Sequence, residues 1–224
     1  GRRLQSIALE TPKPLMPVGN RLFLDFILDW LSKYNVKKVI LSLHYKPDLF
    51  RVYLDNRSFP FEVVTVVEPI PMGTGGAIRF VLDKIDVSDA FCVVNGDTFL
   101  DFDFNKMIKT FMTLQCSAMI GLSYIKDAER YGIVTCNNNV ALSFSEKVAD
   151  RAGWINNGCY LFMKHIFGPY QGVFSMEKDM FPELVKQHQL YIFQTKGNFY
   201  DIGVPKDYYM FVKNFSEPNM DGKC

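Results

Sequence analysis

The chain has 224 residues, 48% of them hydrophobic, and a formal net charge of +1 at pH 7, enough for one large domain, or one domain plus a small appendage, with a sizeable core. Charge so nearly balanced gives no basis for a nucleic-acid or membrane-surface partner. No apolar run approaches the roughly 20 residues that span a bilayer, and no secretory leader is visible.

Five cysteines, at positions 92, 116, 136, 159 and 224, lack CxxC spacing. Cys92 and Cys159 lie inside apolar runs, where reduced thiols are ordinary, so a reducing, cytoplasmic setting is expected. The chain starts at Gly1 and enters Arg2-Arg3-Leu4 with no apolar strand before it. The sequence is therefore read as a trimmed or incompletely represented version of the translated protein, and residues 1–224 as a single domain.

The first 19 residues read as loop. Pro12 and Pro14 flank Lys13, removing two backbone donors and restricting the chain there. Such a segment either holds the lysine rigidly or leaves it solvated. Residues 22–34 carry Leu22, Phe23, Phe26, Ile27, Trp30, Leu31 and Tyr34 at spacings of three and four, the pattern of a helix with one apolar face. Residues 36–43 predict a strand, 47–54 a short helix with Pro47 in its first turn, and 61–67 another strand. That order predicts parallel strands in a doubly wound sheet.

The strand over 61–67 runs into Glu68-Pro69-Ile70-Pro71-Met72-Gly73-Thr74-Gly75-Gly76, and a helix is expected over 77–82. Three glycines between a strand and a helix expose backbone N–H groups at a positive helix end, a setting for a phosphate or a nucleobase. No Gly-Lys-Ser/Thr follows, so the loop is not a Walker sequence. Residues 91–95 are an apolar strand that stops at Asn95-Gly96-Asp97. Ligands sit at the carboxyl ends of strands in open α/β sheets. Gly96 permits close backbone approach, and Asp97 offers hard oxygens suited to Mg²⁺. The competing reading is a plain turn.

Helix is expected over 105–114 and strand over 117–124. Three strands, 131–135, 140–146 and 154–162, then follow without helices. Ser175 reads as the N-cap of a helix with acidic residues in its first turn. Residues 190–194 predict a strand, 199–203 a short strand and turn, and 205–215 a helix. The expected class is therefore α/β, a Rossmann-like doubly wound mixed sheet with added antiparallel strands in the second half. Phe162, Phe167, Tyr170 and Phe174 belong either to the core or to a homodimer face. His44, His165 and His188 are isolated. Asp101-Phe102-Asp103 has the Asp-x-Asp form of metal-dependent glycosyltransferases, but a short strand is the preferred reading.

Taken together, these motifs resemble the sugar-1-phosphate nucleotidyltransferases, nearly end to end. Gly1-Arg2-Arg3-Leu4 resembles the tail of the family's glycine loop, and Thr11-Pro12-Lys13-Pro14-Leu15 its Pro-Lys-Pro motif. Glu68-Pro69 with Gly73-Thr74-Gly75-Gly76-Ala77 resembles its nucleotide-binding loop, and Asn95-Gly96-Asp97 its metal-binding strand end. Glu146-Lys147 and Asn156-Asn157-Gly158-Cys159-Tyr160 resemble its sugar-binding elements. The segments at 174–179 and 199–203 resemble its last two motifs. Against the family's pattern, the first strand and most of the glycine loop are not represented, Arg2 stands where the family usually has Thr, and Tyr200 where many members have Trp. Asp127-Ala128-Glu129-Arg130-Tyr131-Gly132, with the segments 155–160 and 201–208, most resembles the bacterial guanylyltransferases acting on D-glycero-α-D-manno-heptose 1-phosphate.

The resemblance implies transfer of a nucleotidyl group from an NTP, with GTP favoured, to a sugar 1-phosphate, with pyrophosphate released. It implies a Mg²⁺ shared by Asp97 and Asp201, with Arg3 and Lys13 on the phosphates. Gly1, Arg2, Glu68, Gly73, Thr74, Gly75, Gly76, Asn95 and Gly96 are implied as nucleotide-binding. Gly132, Glu146, Lys147, Asn157, Gly158 and Glu177 are implied as sugar-binding. Bland alternatives stand beside these: Asp201 as a cap of the helix at Pro205, Glu146-Lys147 as a charge pair, and Glu177 as a first-turn helix charge. Mannose or glucose 1-phosphate could replace the heptose, and a catalytically silent nucleotide-sugar-binding relative is the remaining rival.

Overall fold

The computed structural model describes residues 11–55, 57–126, 128, 130–145 and 152–216. A 3₁₀ turn, Lys13–Leu15, leads into a minimal hairpin of β1 (Pro17–Val18) and β2 (Arg21–Leu22). Helix α1 (Phe23–Ser32) buries Phe23, Leu24, Phe26, Ile27, Leu28, Trp30 and Leu31. Asp25 closes its first turn by accepting the Leu22 N–H at 2.8 Å. Strands β3 (Lys38–Leu43) and β4 (Glu62–Val67) pair in parallel, with α2 (Pro47–Asp55) as their crossover.

The chain continues through α3 (Gly73–Lys84), β5 (Ala90–Val94), β6 (Thr98–Asp101), α4 (Phe104–Leu114) and β7 (Ala118–Ile125). Then come β8 (Ile133–Asn137), β9 (Val140–Ser145) and β10 (Gly153–Met163). A π-helical turn (Met176–Met180) precedes α5 (Phe181–Lys186), β11 (Leu190–Thr195), β12 (Asn198–Asp201) and α6 (Pro205–Phe215). Ser175 caps as expected, its hydroxyl accepting the Lys178 N–H at 3.2 Å, although the turn it opens is π rather than α.

Six strands form the main sheet in the order β5-β10-β7-β11-β9-β8, and only β7 and β11 run parallel. The α/β class is as expected, but the parallel content is smaller than the local β-α-β order implied. Among the described residues β3 and β4 form their own pair, and β10 lies between β5 and β7. A strand from the second half separating two neighbours in the first is a non-local pairing, which leaves no trace in local sequence pattern.

Alternate residues of β7 and β10 feed two cores, as the period-2 geometry of strands requires. Met119, Cys159 and Leu161 join Phe23, Phe26, Phe99 and Phe211 on one face. Ile120, Leu122, Tyr160 and Phe162 join Phe167, Phe174 and Phe181 on the other. Phe162, Phe167 and Phe174 are thus core residues of a single chain, each worth about 1.5–3 kcal/mol when fully buried. Among the described residues no helix is long and apolar enough to cross a membrane, and Cys92, Cys116, Cys136 and Cys159 are free thiols.

The glycine loop needs a correction. Helix α3 starts at Gly73, not after the glycines, and the N–H groups of Gly75 and Gly76 both donate to the Phe174 carbonyl at 3.1 Å. A Cβ on Gly73 would stand 2.5 Å from the Phe174 carbonyl oxygen, and one on Gly76 2.5 Å from that of Gly172. The glycines therefore admit the 172–175 segment against the helix start. Gly73 also has φ +73°, so strain adds to the clash. Gly73→Ala is expected to cost roughly 1–3 kcal/mol, read as a lower urea midpoint at unchanged slope; an unchanged midpoint would contradict this account of the loop.

Candidate active site

Strands β6 and β12 pair antiparallel with Asp201 opposite Thr98, and the Ile202 N–H donates to the Asp97 carbonyl at 3.0 Å. This register brings two aspartates that are far apart in sequence to one strand end. Lys13 reaches the same place from the 3₁₀ turn. Buried Leu15 and Met16 anchor that turn, and Pro14 Cγ packs 3.2 Å from where a Gly96 side chain would begin. Lys13 Nζ then bonds Asp97 Oδ2 at 2.8 Å. The pair is partly exposed, and such pairs contribute at most about 1 kcal/mol to folding. Its value lies in where it puts the ammonium.

Asp201 is held differently. Its Oδ1 accepts the Gly203 N–H at 2.8 Å, and its Oδ2 accepts the Tyr131 hydroxyl at 3.1 Å. Burial, reinforced by the neighbouring Asp201 charge, pushes the Tyr131 phenol well up, so the hydroxyl remains a donor. Burial and then the Asp201 charge also raise the Asp207 carboxyl. Asp201 does not cap the helix at Pro205; Val204 is the N-cap there.

Strand β10 carries a bulge between Asn156 and Tyr160. Gly158, at φ +79°, accepts the Asn95 N–H at 2.8 Å, and a side chain on it would meet the Asn95 amide at 2.7 Å. Asn157 points into the interior. It is fully buried, its amide nitrogen lies 3.2 Å from Ser123 Oγ, and its oxygen accepts the Cys159 N–H at 3.2 Å. Asn156 takes the outward place, donating to the Tyr160 hydroxyl at 2.9 Å.

The result is a cleft of about 410 Å³ lined by Lys13, Asn95, Asp97, Thr98, Arg130, Tyr131, Asn156, Gly158, Phe199, Asp201, Gly203 and Val204. Five of the expected residues meet there: Lys13, Asn95, Asp97, Gly158 and Asp201. Several others do not line it. Glu68 accepts the Met72 N–H at 3.1 Å and the Ser42 hydroxyl at 3.1 Å, bracing its own loop. Glu177 accepts the hydroxyls of Thr74 at 2.6 Å and Ser175 at 2.8 Å, tying α3 to the π-helical turn. Gly73, Gly75, Gly76, Gly96, Gly132 and Asn157 are also absent from the lining. Gly1, Arg2, Arg3, Glu146 and Lys147 lie outside the described residues. Arg130, Tyr131, Asn156 and Phe199 were missed as site residues, although each falls inside a motif already singled out. Asp103 caps α4 by accepting the Asn105 N–H at 3.1 Å, and neither it nor Asp101 lines the cleft.

The Nucleotidyl transferase family model matches residues 1–217. The chain is a member of the nucleotidyl transferase family. It is 36% identical over 217 residues to a D-glycero-α-D-manno-heptose 1-phosphate guanylyltransferase of Campylobacter jejuni, covering 96% of this chain and 95% of that protein. A protein of the same description from Aneurinibacillus thermoaerophilus is 34% identical over 210 residues, covering 93% and 91%. The crystal structure of HddC from Yersinia pseudotuberculosis complexed with GMP-PN superposes with TM-score 0.82 at 32% identity, covering 92% of this chain and 90% of that one. This nucleotidyltransferase is an enzyme that couples a nucleotide to a sugar 1-phosphate.

The donor set of the nucleotidyltransferase cleft fits a small, hard divalent cation. Two carboxylates, Asp97 and Asp201, share the cleft. Mg²⁺ is bound in this way, by one or two carboxylates with waters and substrate phosphates completing the shell.

Proposed function

We propose that the enzyme transfers the guanylyl group of GTP to D-glycero-α-D-manno-heptose 1-phosphate in the cytoplasm, releasing pyrophosphate. The observation that carries this choice of substrates is the likeness to two heptose guanylyltransferases over more than nine-tenths of the chain. An oxygen of the sugar phosphate attacks the α-phosphorus in line, a new P–O bond forms, and the bond to the β-phosphate oxygen breaks. Two polyanions must meet, so the protein's task is neutralisation and alignment.

Asp97 and Asp201 would hold Mg²⁺, which supplies Lewis-acid stabilisation of the phosphate oxygens. Lys13 places a compact positive charge beside the reacting centre. Arg3, with Arg2 and Gly1, is assigned to the departing pyrophosphate and the nucleotide phosphates. Glu68, Thr74 and the glycines of α3 are assigned to the side of the base, where they shape the loop. Glu146, Lys147, Gly132, Gly158 and Glu177 are assigned to the sugar side, with Asn157 supporting the bulge beneath it. Arg130 adds a second positive charge to the cleft wall.

The test is pyrophosphate release with Mg²⁺ from GTP, CTP, dTTP, UTP and ATP, each paired with heptose, mannose and glucose 1-phosphates. The proposal expects GTP with the heptose phosphate to give the highest kcat/KM. A higher value for another pair would reassign the substrates, and release with no pair would favour a silent binding relative.

A further inference from the structure

We propose that Tyr131 is a positioning residue that sets the carboxylate of Asp201 for the cation, an inference that rests on the proposed nucleotidyl transfer. A carboxylate has two oxygens with about four acceptor positions between them. One hydrogen bond leaves the group free to rotate about its last torsion; one bond to each oxygen fixes its plane. Asp201 has both. The Gly203 N–H holds Oδ1, and the Tyr131 hydroxyl, from a segment remote in sequence, holds Oδ2. Each oxygen keeps acceptor capacity for a cation.

The clamp is itself fixed. The Tyr131 N–H donates to the carbonyl of Ala128 at 2.9 Å, and its ring stands edge-on to Phe199 with centroids 5.8 Å apart. Phe199 is on β12, two residues before Asp201, so ring and carboxylate are carried by one strand. Buried Ala128, Ile133 and Ile155 pack behind. Asp97 offers the contrast. Its bond comes from the half-exposed ammonium of Lys13, whose positive charge competes with a metal. The two donors on Asp201 are neutral. They orient the carboxylate and leave its negative charge intact.

Outer-shell partners of metal-binding carboxylates typically cost about 10–100-fold in metal affinity or activity when removed. Tyr131→Phe keeps the ring against Phe199 and deletes only the hydroxyl. It is expected to lower kcat by about tenfold or more, with the sugar-phosphate KM within about threefold of wild type and the urea midpoint unchanged. Mn²⁺ affinity of the full chain without nucleotide, read from the electron paramagnetic resonance of free Mn²⁺, should fall by about tenfold. On an Asp201→Asn background the same substitution should lower Mn²⁺ affinity no further, because the coupled partner is already gone. Wild-type Mn²⁺ affinity in Tyr131→Phe, whatever its kcat, would overturn the proposal. Should the wild-type enzyme transfer no nucleotide, the proposed function fails, while the Mn²⁺ comparison still reads the clamp.

Discussion

A Lys13→Ala enzyme is expected to lose about 10²-fold or more in kcat, while its sugar-phosphate KM stays within about threefold. The reason is where the ammonium is held. Pro12 and Pro14 restrict the backbone on either side, buried Leu15 fixes the turn, and Nζ ends beside Asp97. A charge so placed meets negative charge that builds on the phosphates during transfer, which makes it worth more in the transition state than in the ground state. Lys13→Arg should recover little, because a planar guanidinium does not reproduce a compact point charge. Steady-state pyrophosphate release at saturating GTP gives the number. Turnover within a few-fold of wild type in Lys13→Ala would remove the residue from the chemistry.

The second large effect belongs to the aspartates. Asp97→Asn and Asp201→Asn are each expected to reduce Mg²⁺-supported turnover by about 10³-fold. The double variant should be little worse than either single one, since groups acting as a unit are strongly non-additive. The amide preserves shape, so both proteins should unfold close to the wild-type urea midpoint. An additive loss in the double variant would mean that the two carboxylates serve separate steps. A single variant with near wild-type turnover would place the cation elsewhere.

Local elements were legible because their causes are local. Helix α1 was readable from the spacing of Phe23, Phe26, Ile27 and Trp30, and α6 from Pro205 onward. The strand ending at Asn95-Gly96-Asp97 was readable from an apolar run meeting turn residues. The prolines around Lys13 left open whether it was held or solvated, and only the resemblance of Thr11-Pro12-Lys13-Pro14-Leu15 to a family motif singled it out. Features set by distant partners were not legible. The N–H groups of Gly75 and Gly76 read as open donors, but both donate to the carbonyl of Phe174, about a hundred residues away. The packing of Pro14 beside Gly96, with Cγ 3.2 Å from where a side chain would begin, was equally invisible.

The two asparagines illustrate the limit most clearly. Asn156 and Asn157 have the same chemistry, and only the bulge in β10 decides which one faces the cleft. With Gly158 at positive φ, Asn157 turns inward to Ser123 and Asn156 lines the cleft. Tyr131 was hidden for a similar reason. Nothing near it in sequence announces Asp201, and the contact exists only because β12 returns beside β6 and Tyr131 packs against Phe199 of that strand.

Transfer is expected to be direct: the sugar phosphate attacks the proposed donor, GTP, and no side chain becomes guanylylated. Isotope exchange between labelled pyrophosphate and GTP tests it most directly. With Mg²⁺ and no sugar phosphate, no label should enter GTP, and exchange should begin only when the nucleotide-sugar product is supplied. Label entering GTP with only enzyme, Mg²⁺, GTP and pyrophosphate present would demand a guanylyl-enzyme intermediate and rule out direct attack.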